Sequence, residues 1–143
     1  MVESDARIGV DIKANFLDVY QTLVSLDERA EWQQGVVRTD EGHTTERIGT
    51  RYRRSLLGFD VDTSIDFGRC DESSAVLVDR LDIEQLGVHG REAYSLDRLG
   101  DDATRLIFSI ELDKSDIIAQ EFVSNALREM KADLDRLKSR CEA

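Results

Sequence analysis

The chain has 143 residues, enough for one domain with one sizeable core, and its formal charge of −11 sets 19 Lys and Arg against 30 Asp and Glu. That balance repels a phosphate backbone or an anionic membrane surface, so no nucleic acid is expected as a partner. With 41% hydrophobic and 34% charged residues and no apolar run of spanning length, the composition is that of a globular domain, with no stable membrane insertion.

The opening residues Met1-Val2-Glu3-Ser4-Asp5 are acidic and lack the basic and apolar regions of a signal peptide, which predicts a cytoplasmic protein. The two cysteines, Cys70 and Cys141, have no C-x-x-C spacing and no disulfide framework, and are expected as free thiols. Residues 7–13 alternate apolar and polar and predict a first strand with one buried face. Asn15 then caps a short helix over 16–24, where Phe16, Val19, Tyr20 and Leu23 share a face. Asp27 is read as the cap of a second short helix, 28–34, which carries the single Trp32 and stops at Gly35.

From Val36 to Asp113 helical periodicity is lost, and turn residues recur at Glu41-Gly42, Gly58, Asp71-Glu72-Ser73, Leu86-Gly87 and Gly100-Asp101-Asp102. Six strands are read between them, at 36–39, 49–57, 59–69, 75–83, 88–99 and 104–112. In the 59–69 strand, Phe59, Val61, Thr63, Ile65 and Phe67 are placed on one face and Asp60, Asp62, Ser64 and Asp66 on the other. Leu106, Phe108, Ile110 and Leu112 share a face of the last strand. Short connections favour an antiparallel meander. Residues 115–141 form the strongest periodic element, a long amphipathic helix. Ser115 is its cap, Asp116 lies in its first turn, and Ala119, Phe122, Val123, Ala126, Leu127, Met130, Leu134, Leu137 and Cys141 make its apolar stripe. The expected fold is α+β: a seven-stranded curved antiparallel sheet wrapped around the C-terminal helix, with two short helices after the first strand, in one domain over 1–143.

This order, with the opening strand and helix 8–24, the segment Asp27-Glu28-Arg29-Ala30-Glu31-Trp32-Gln33-Gln34-Gly35-Val36, and Leu127, Leu134, Leu137 and Lys138 of the closing helix, resembles the START-like superfamily. That superfamily is also called SRPBCC or Bet v 1-like, and the resemblance points to its polyketide cyclase/dehydrase and lipid-transport branch. It covers nearly the whole chain and implies a helix-grip fold with an apolar cavity between sheet and closing helix. The ligands it implies are lipids, polyketides or other hydrophobic small molecules. Fold transfers more safely than activity, so the site rests on its own residues.

No standard catalytic motif is present: there is no G-x-G-x-x-G, P-loop, H-E-x-x-H or G-x-S-x-G. Asp60-Val61-Asp62-Thr63-Ser64 begins like a calcium loop but has Ile65 where the glycine belongs, and strand alternation accounts for its carboxylates. His43 is placed in a turn; His89 faces out if Tyr94 and Leu96 face inward, a phase that a strand bulge would reverse, and neither has a partner at metal-ligand spacing, so no metal is expected. The phase of the strand carrying Arg80 is open, because Ala75, Leu77, Asp79 and Leu81 compete with Val76, Val78 and Arg80 for the inner face.

The candidate ligand-binding residues are Trp32, Tyr52, Arg54, Ile65, Glu92, Tyr94, Phe108, Phe122, Ala126 and Met130. Trp32 either closes one end of the cavity against a ligand or plugs the core. Tyr52 and Arg54 share a face with Leu56 and either orient a ligand oxygen, satisfy a carboxylate such as Glu92, or, in the reversed strand phase, both lie on the outer face. Phe122, Ala126 and Met130 roof the cavity while Leu134 and Leu137 anchor the helix. Three functions are compatible with this pattern: binding or transport of a hydrophobic or aromatic small molecule without a cofactor, a polyketide aromatase/cyclase using a Tyr, Arg or Glu for proton transfer, or a protein-interaction module. A monomer or weak homodimer is expected.

Overall fold

The structure, a computed structural model, describes residues 6–39, 48–113 and 117–143. The cap expected at Ser115 and Asp116, the Glu41-Gly42 turn, His43 and the acidic residues 1–5 lie outside the described residues.

Strand β1 (Ala6–Ile12) leads into helix α1 (Phe16–Val24), capped by Asn15, whose Oδ1 accepts from the Leu17 N–H at 2.9 Å. Phe16, Val19 and Leu23 are the buried face of α1. Helix α2 (Leu26–Trp32) starts two residues earlier than expected: Ser25, in extended conformation, is its cap and accepts from the Glu28 N–H, while Asp27 lies in the first turn. An acid there still complements the helix dipole, so two adjacent cap-type residues divide the two roles. After α2 the chain turns at Gly35 (φ +66), where a Cβ would lie 2.8 Å from the Ser55 Cβ, a contact only glycine tolerates.

The remaining strands are β2 (Val37–Arg38), β3 (Arg51–Leu56), β4 (Phe59–Cys70), β5 (Ser74–Ile83), β6 (Val88–Gly100) and β7 (Ala103–Leu112). They form one antiparallel sheet in the order β1-β7-β6-β5-β4-β3-β2, so the first strand pairs with the last and the rest follow as a meander. Alternation decides the faces. Tyr52, Arg54 and Leu56 of β3, Leu77, Asp79 and Leu81 of β5, and Glu92, Tyr94 and Leu96 of β6 are buried on the inner side. Arg80, His89 and Arg91 are exposed. This settles the competition in β5 in favour of the set containing Asp79.

One expected face is wrong. Ile65 pairs with Asp79 but Phe67 pairs with Val78, so β4 carries a bulge at this point and Phe67 turns outward, 46% exposed. A bulge reverses the phase of everything beyond it, which period-two alternation cannot foresee.

Helix α3 (Ile117–Glu142) is about 39 Å long at 1.5 Å per residue and lies across the inner face of the sheet. Ala119, Phe122, Val123, Ala126, Met130, Leu134 and Leu137 are its buried stripe, with Leu127 and Cys141 packed beside it. Polar pegs hold its C-terminal half. Arg136 Nε donates to the Trp32 carbonyl at 3.0 Å, Lys138 Nζ to the Asp11 carbonyl at 2.8 Å, and Arg140 pairs with Glu28. Both cysteines are free. No described helix is long and apolar enough to cross a membrane.

Candidate functional site

Two adjoining features occupy the space between sheet and α3: a buried polar cluster under the middle of the helix and an open apolar cleft at its N-terminal end.

The cluster begins with register. Asp79 of β5 and Glu92 of β6 are directly opposite one another on the inner face, and both are completely buried. Two carboxylates placed side by side away from water repel, so each needs a cation of its own. Asp79 takes Arg29, which α2 projects toward the sheet: Arg29 Nη1 lies 2.6 Å from Asp79 Oδ2. Tyr52 donates its hydroxyl proton to the same oxygen at 2.5 Å and accepts from Arg29 Nη1. The remaining guanidinium donors, Arg29 Nε and Nη2, reach the Leu23 carbonyl at 3.2 and 2.8 Å. The Arg29 guanidinium also stands over the rings of Tyr52, Tyr94 and Trp32 at 5.1, 5.5 and 5.9 Å.

Glu92 takes Arg54. Arg54 Nη1 donates to Glu92 Oε2 at 2.6 Å, and Nη2 lies 2.6 Å from Oε1 and 3.4 Å from the Met130 sulfur. Tyr94 donates to Glu92 Oε2 at 3.3 Å and accepts from Gln33 Nε2 at 3.3 Å. Burial opposes the charge on both arginines, but Tyr52 and Asp79 around Arg29, and Glu92 and Tyr94 around Arg54, outweigh it and hold both guanidinium groups above their ordinary values. Burial likewise pushes the Glu92 carboxyl up, with Arg54 pulling against it, and raises both phenols, so Tyr52 and Tyr94 act as donors.

Four groups in this network stay incomplete. Gln33 Oε1, Arg54 Nε and Asp79 Oδ1 are buried and find no hydrogen-bond partner among the described residues, and Glu92 Oε1 touches Arg54 without hydrogen-bond geometry. Such atoms need water or a ligand.

The cleft lies beyond the cluster, toward the start of α3. Leu57, Phe59, Leu86, Ile118 and Phe122 form its apolar wall, and Glu121, Asn125, Arg128 and Glu129 its polar rim; its volume is about 710 Å³. A second pocket of about 290 Å³ shares Leu86, Ile118 and Phe122 and adds Val88, Leu112 and Ala119. Ile117 and Ile118 are each 70% exposed at this edge, an uncommon position for adjacent large aliphatic residues.

All ten sequence-predicted residues therefore lie inside the grip, but they divide. Tyr52, Arg54, Glu92 and Tyr94 bond mainly to one another or to Arg29 and Asp79, the carboxylate-pairing alternative for Arg54 being the one observed. Trp32 donates to the Thr22 carbonyl at 3.3 Å and meets Tyr94 edge-on, and Phe108 packs on Tyr94 with ring centroids 5.1 Å apart. Ile65, Ala126 and Met130 are fully packed. Of the trio expected to roof the cavity, Phe122 borders the cleft, its ring against Phe59 at 6.2 Å, while Ala126 and Met130 are buried, the Met130 sulfur against Arg54 Nη2. Sequence reading missed Arg29, Gln33, Asp79 and Asp133. Arg29 stands three residues before Trp32, one turn of the same helix face, and Asp79 interrupts the apolar row Ala75, Leu77, Leu81, both legible signals. Among the described residues no group of three His, Cys, Asp or Glu side chains is placed to hold a metal ion.

No family model and no curated protein matches the sequence. Solved structures do match. A hypothetical protein of Helicobacter pylori superposes with a TM-score of 0.76 at 18% identity over 96% of this chain and 86% of the other. The Zhui aromatase/cyclase from Streptomyces sp. R1128 gives 0.70 at 16% over 96% and 93%. A START superfamily protein from Mycobacterium smegmatis gives 0.69 at 12% over 96% and 97%.

Arg54→Ala leaves Glu92 uncompensated beside Asp79 and should lower stability by about 3–5 kcal/mol in urea unfolding, most of which the double replacement Arg54→Met with Glu92→Leu should restore. Asp133, on α3 next to Arg136, has its carboxyl pushed up to about 6, chiefly by burial, against an ordinary 3.8. The folded chain then binds more protons than the unfolded one between those values, so this group makes stability fall as pH rises through that window. Asp133→Asn should therefore stabilise the protein by about 1–2 kcal/mol at pH 7, after allowance for screening at the half-exposed Arg136, and do nothing at pH 4 in thermal melts.

Proposed function

From the START-like helix-grip fold of this chain, a curved antiparallel sheet closed on a long final helix, we propose that it binds a hydrophobic small molecule in the cleft at the N-terminal end of α3. The observation that carries this reading is the wall formed by Leu57, Phe59, Leu86, Ile118 and Phe122. It is an apolar surface open to solvent at Ile118 and reaching the buried stripe of α3 at Phe122. Burying an apolar ligand there removes from water a surface that the folded chain leaves wet.

Leu57 supports the same reading. It occupies the first central position of the two-residue β3–β4 turn with φ +53, followed by Gly58 at φ +81. Both angles are positive, as in a type I′ turn, where Asn-Gly is the preferred pair. A leucine there costs about 1 kcal/mol. The Glu129 carboxylate on α3 accepts from the Leu57 N–H at 3.1 Å and fixes the turn against the helix, which holds the leucine side chain on the cleft wall. Backbone strain retained at a ligand-facing residue is the pattern of a functional position.

Binding is favoured over turnover because the side chains available for proton transfer, Tyr52, Glu92 and Tyr94, are buried and bonded within the cluster. The reading takes the whole chain as one START-like domain without a cofactor.

Titration with the neutral dye Nile red should show saturable binding with a blue-shifted emission, and absence of saturation would overturn the reading. Ile118→Glu, at an exposed position, should weaken dye binding at least about tenfold while leaving the thermal midpoint in place. Leu57→Asn should raise stability by about 1 kcal/mol and weaken binding, a trade between turn geometry and cleft wall read from paired melts and titrations.

A further inference from the structure

The outer face of the sheet, turned away from α3, carries a pair of like charges that the fold leaves unresolved. Ladder register sets Ser64 of β4, Arg80 of β5, Arg91 of β6 and Glu111 of β7 side by side across the sheet. Arg80 and Arg91 are therefore directly opposite one another, and both are exposed. Like charges in that position destabilise a strand pair.

The next row shows how this chain treats the same problem elsewhere. Asp62 and Asp82 are also directly opposite, but Asp62 Oδ1 lies 3.3 Å from Arg53 Nε and Asp82 Oδ1 lies 3.0 Å from His89 Nδ1. Inside the sheet, Asp79 and Glu92 each have an arginine. Only the arginine pair goes without. Neither guanidinium has a hydrogen bond or ion pair among the described residues, and Glu111, opposite Arg91, does not close on it. With 30 Asp and Glu against 19 Lys and Arg, carboxylates are not scarce in this chain. Repulsion kept where counter-ions abound marks a place that an anion from outside completes.

There is room for one. Two hollows meet at Arg80 and His89: one of about 310 Å³ also bordered by Arg91, Glu111 and Asp113, and one of about 520 Å³ reaching Arg53 and Ser64. Asp82 holds the Nδ1 of His89, which leaves Nε2 for a ligand. The charge of the pair selects the ligand. Side chains directly opposite in a ladder are close enough for both guanidinium forks to converge on one group. A phosphate brings close to two negative charges and several acceptor oxygens to meet them, whereas a carboxylate brings one charge and two oxygens. A polyanion would multiply the repulsion from a chain of net charge −11, so the match is to a single phosphate.

We propose that Arg80 and Arg91, with His89 beside them, form a binding site for a single phosphate group on the outer face of the sheet.

The test follows thermal melts of the full chain at neutral pH in inorganic phosphate, in glycerol 3-phosphate and in acetate, each against sodium chloride of matched ionic strength. At about 10 mM, phosphate or its ester should raise the midpoint by about 3 °C, as for binding on the order of 1 mM, and acetate should not. The larger rise of the two tells free phosphate from an ester as the source. Arg80→Gln and Arg91→Gln, both at exposed positions, should each abolish most of the rise, and each should melt above the parent chain in low-salt chloride, because the repulsion is gone. NMR resonances of the Arg80 and Arg91 Nε–H of the unsubstituted protein should shift saturably with phosphate, a readout that needs no variant. No rise above chloride with unshifted resonances, a rise that persists in both variants, or an equal rise with acetate would overturn the site. Nile red binding in the cleft is independent of all these outcomes, so the binding reading stands or falls separately.

Discussion

Asp79 and Glu92 face each other across two adjacent strands on the inner side of the sheet, and much of the rest of this molecule is arranged around that juxtaposition. Two buried carboxylates at such separation are unstable alone. The chain brings one guanidinium from α2 and one from β3, and each pairing fastens a separate element to the centre of the sheet. Arg29 draws the short helix inward, which seats Trp32 against Tyr94 and leaves Gln33 at the end of that helix, within reach of the same phenol. Replacing such a cluster with hydrocarbon is often neutral or stabilising, whereas breaking one partner out of it is costly. Its value here lies in geometry: it fixes where α2 sits and which polar atoms remain open.

The long helix divides along its length because of what lies beneath it. Its last turns are pegged by Arg136, Lys138 and Arg140 to α2 and β1 and packed through Leu134 and Leu137. Its middle meets the polar cluster at Met130, whose sulfur lies 3.4 Å from Arg54 Nη2. Beside Met130, Glu129 accepts from the Leu57 N–H of the β3–β4 turn, and toward the first turns the cleft opens.

Legibility in the sequence follows periodicity. The inner face of β7 was readable from its alternation, whereas for Tyr52 and Arg54 on β3 and for His89 on β6 the alternation allowed either phase, and the structure buries Tyr52, Arg54, Glu92 and Tyr94 and exposes His89. Alternation failed for Phe67, where one bulge reverses the phase, and was undecided for β5, where both alternating sets contain a charged residue. The cap of α2 was displaced from Asp27 to Ser25 because both residue types serve as caps and only the backbone angle at Ser25 distinguishes them.

What the sequence determined by itself is the helix-grip architecture, since apolar period, turn chemistry and element order are local properties of the chain. Which buried side chains bond to one another was decided only by tertiary structure. Arg29 and Asp79 are 50 residues apart and Arg54 and Glu92 are 38 apart, so their pairing is a consequence of strand register and helix docking. Hydrogen bonding is directional and short-ranged, and a face assignment says that a group is inside without saying what its lone pairs meet. The folded chain alone shows that Gln33, Arg54, Asp79 and Glu92 each keep an atom without a hydrogen-bond partner among the described residues.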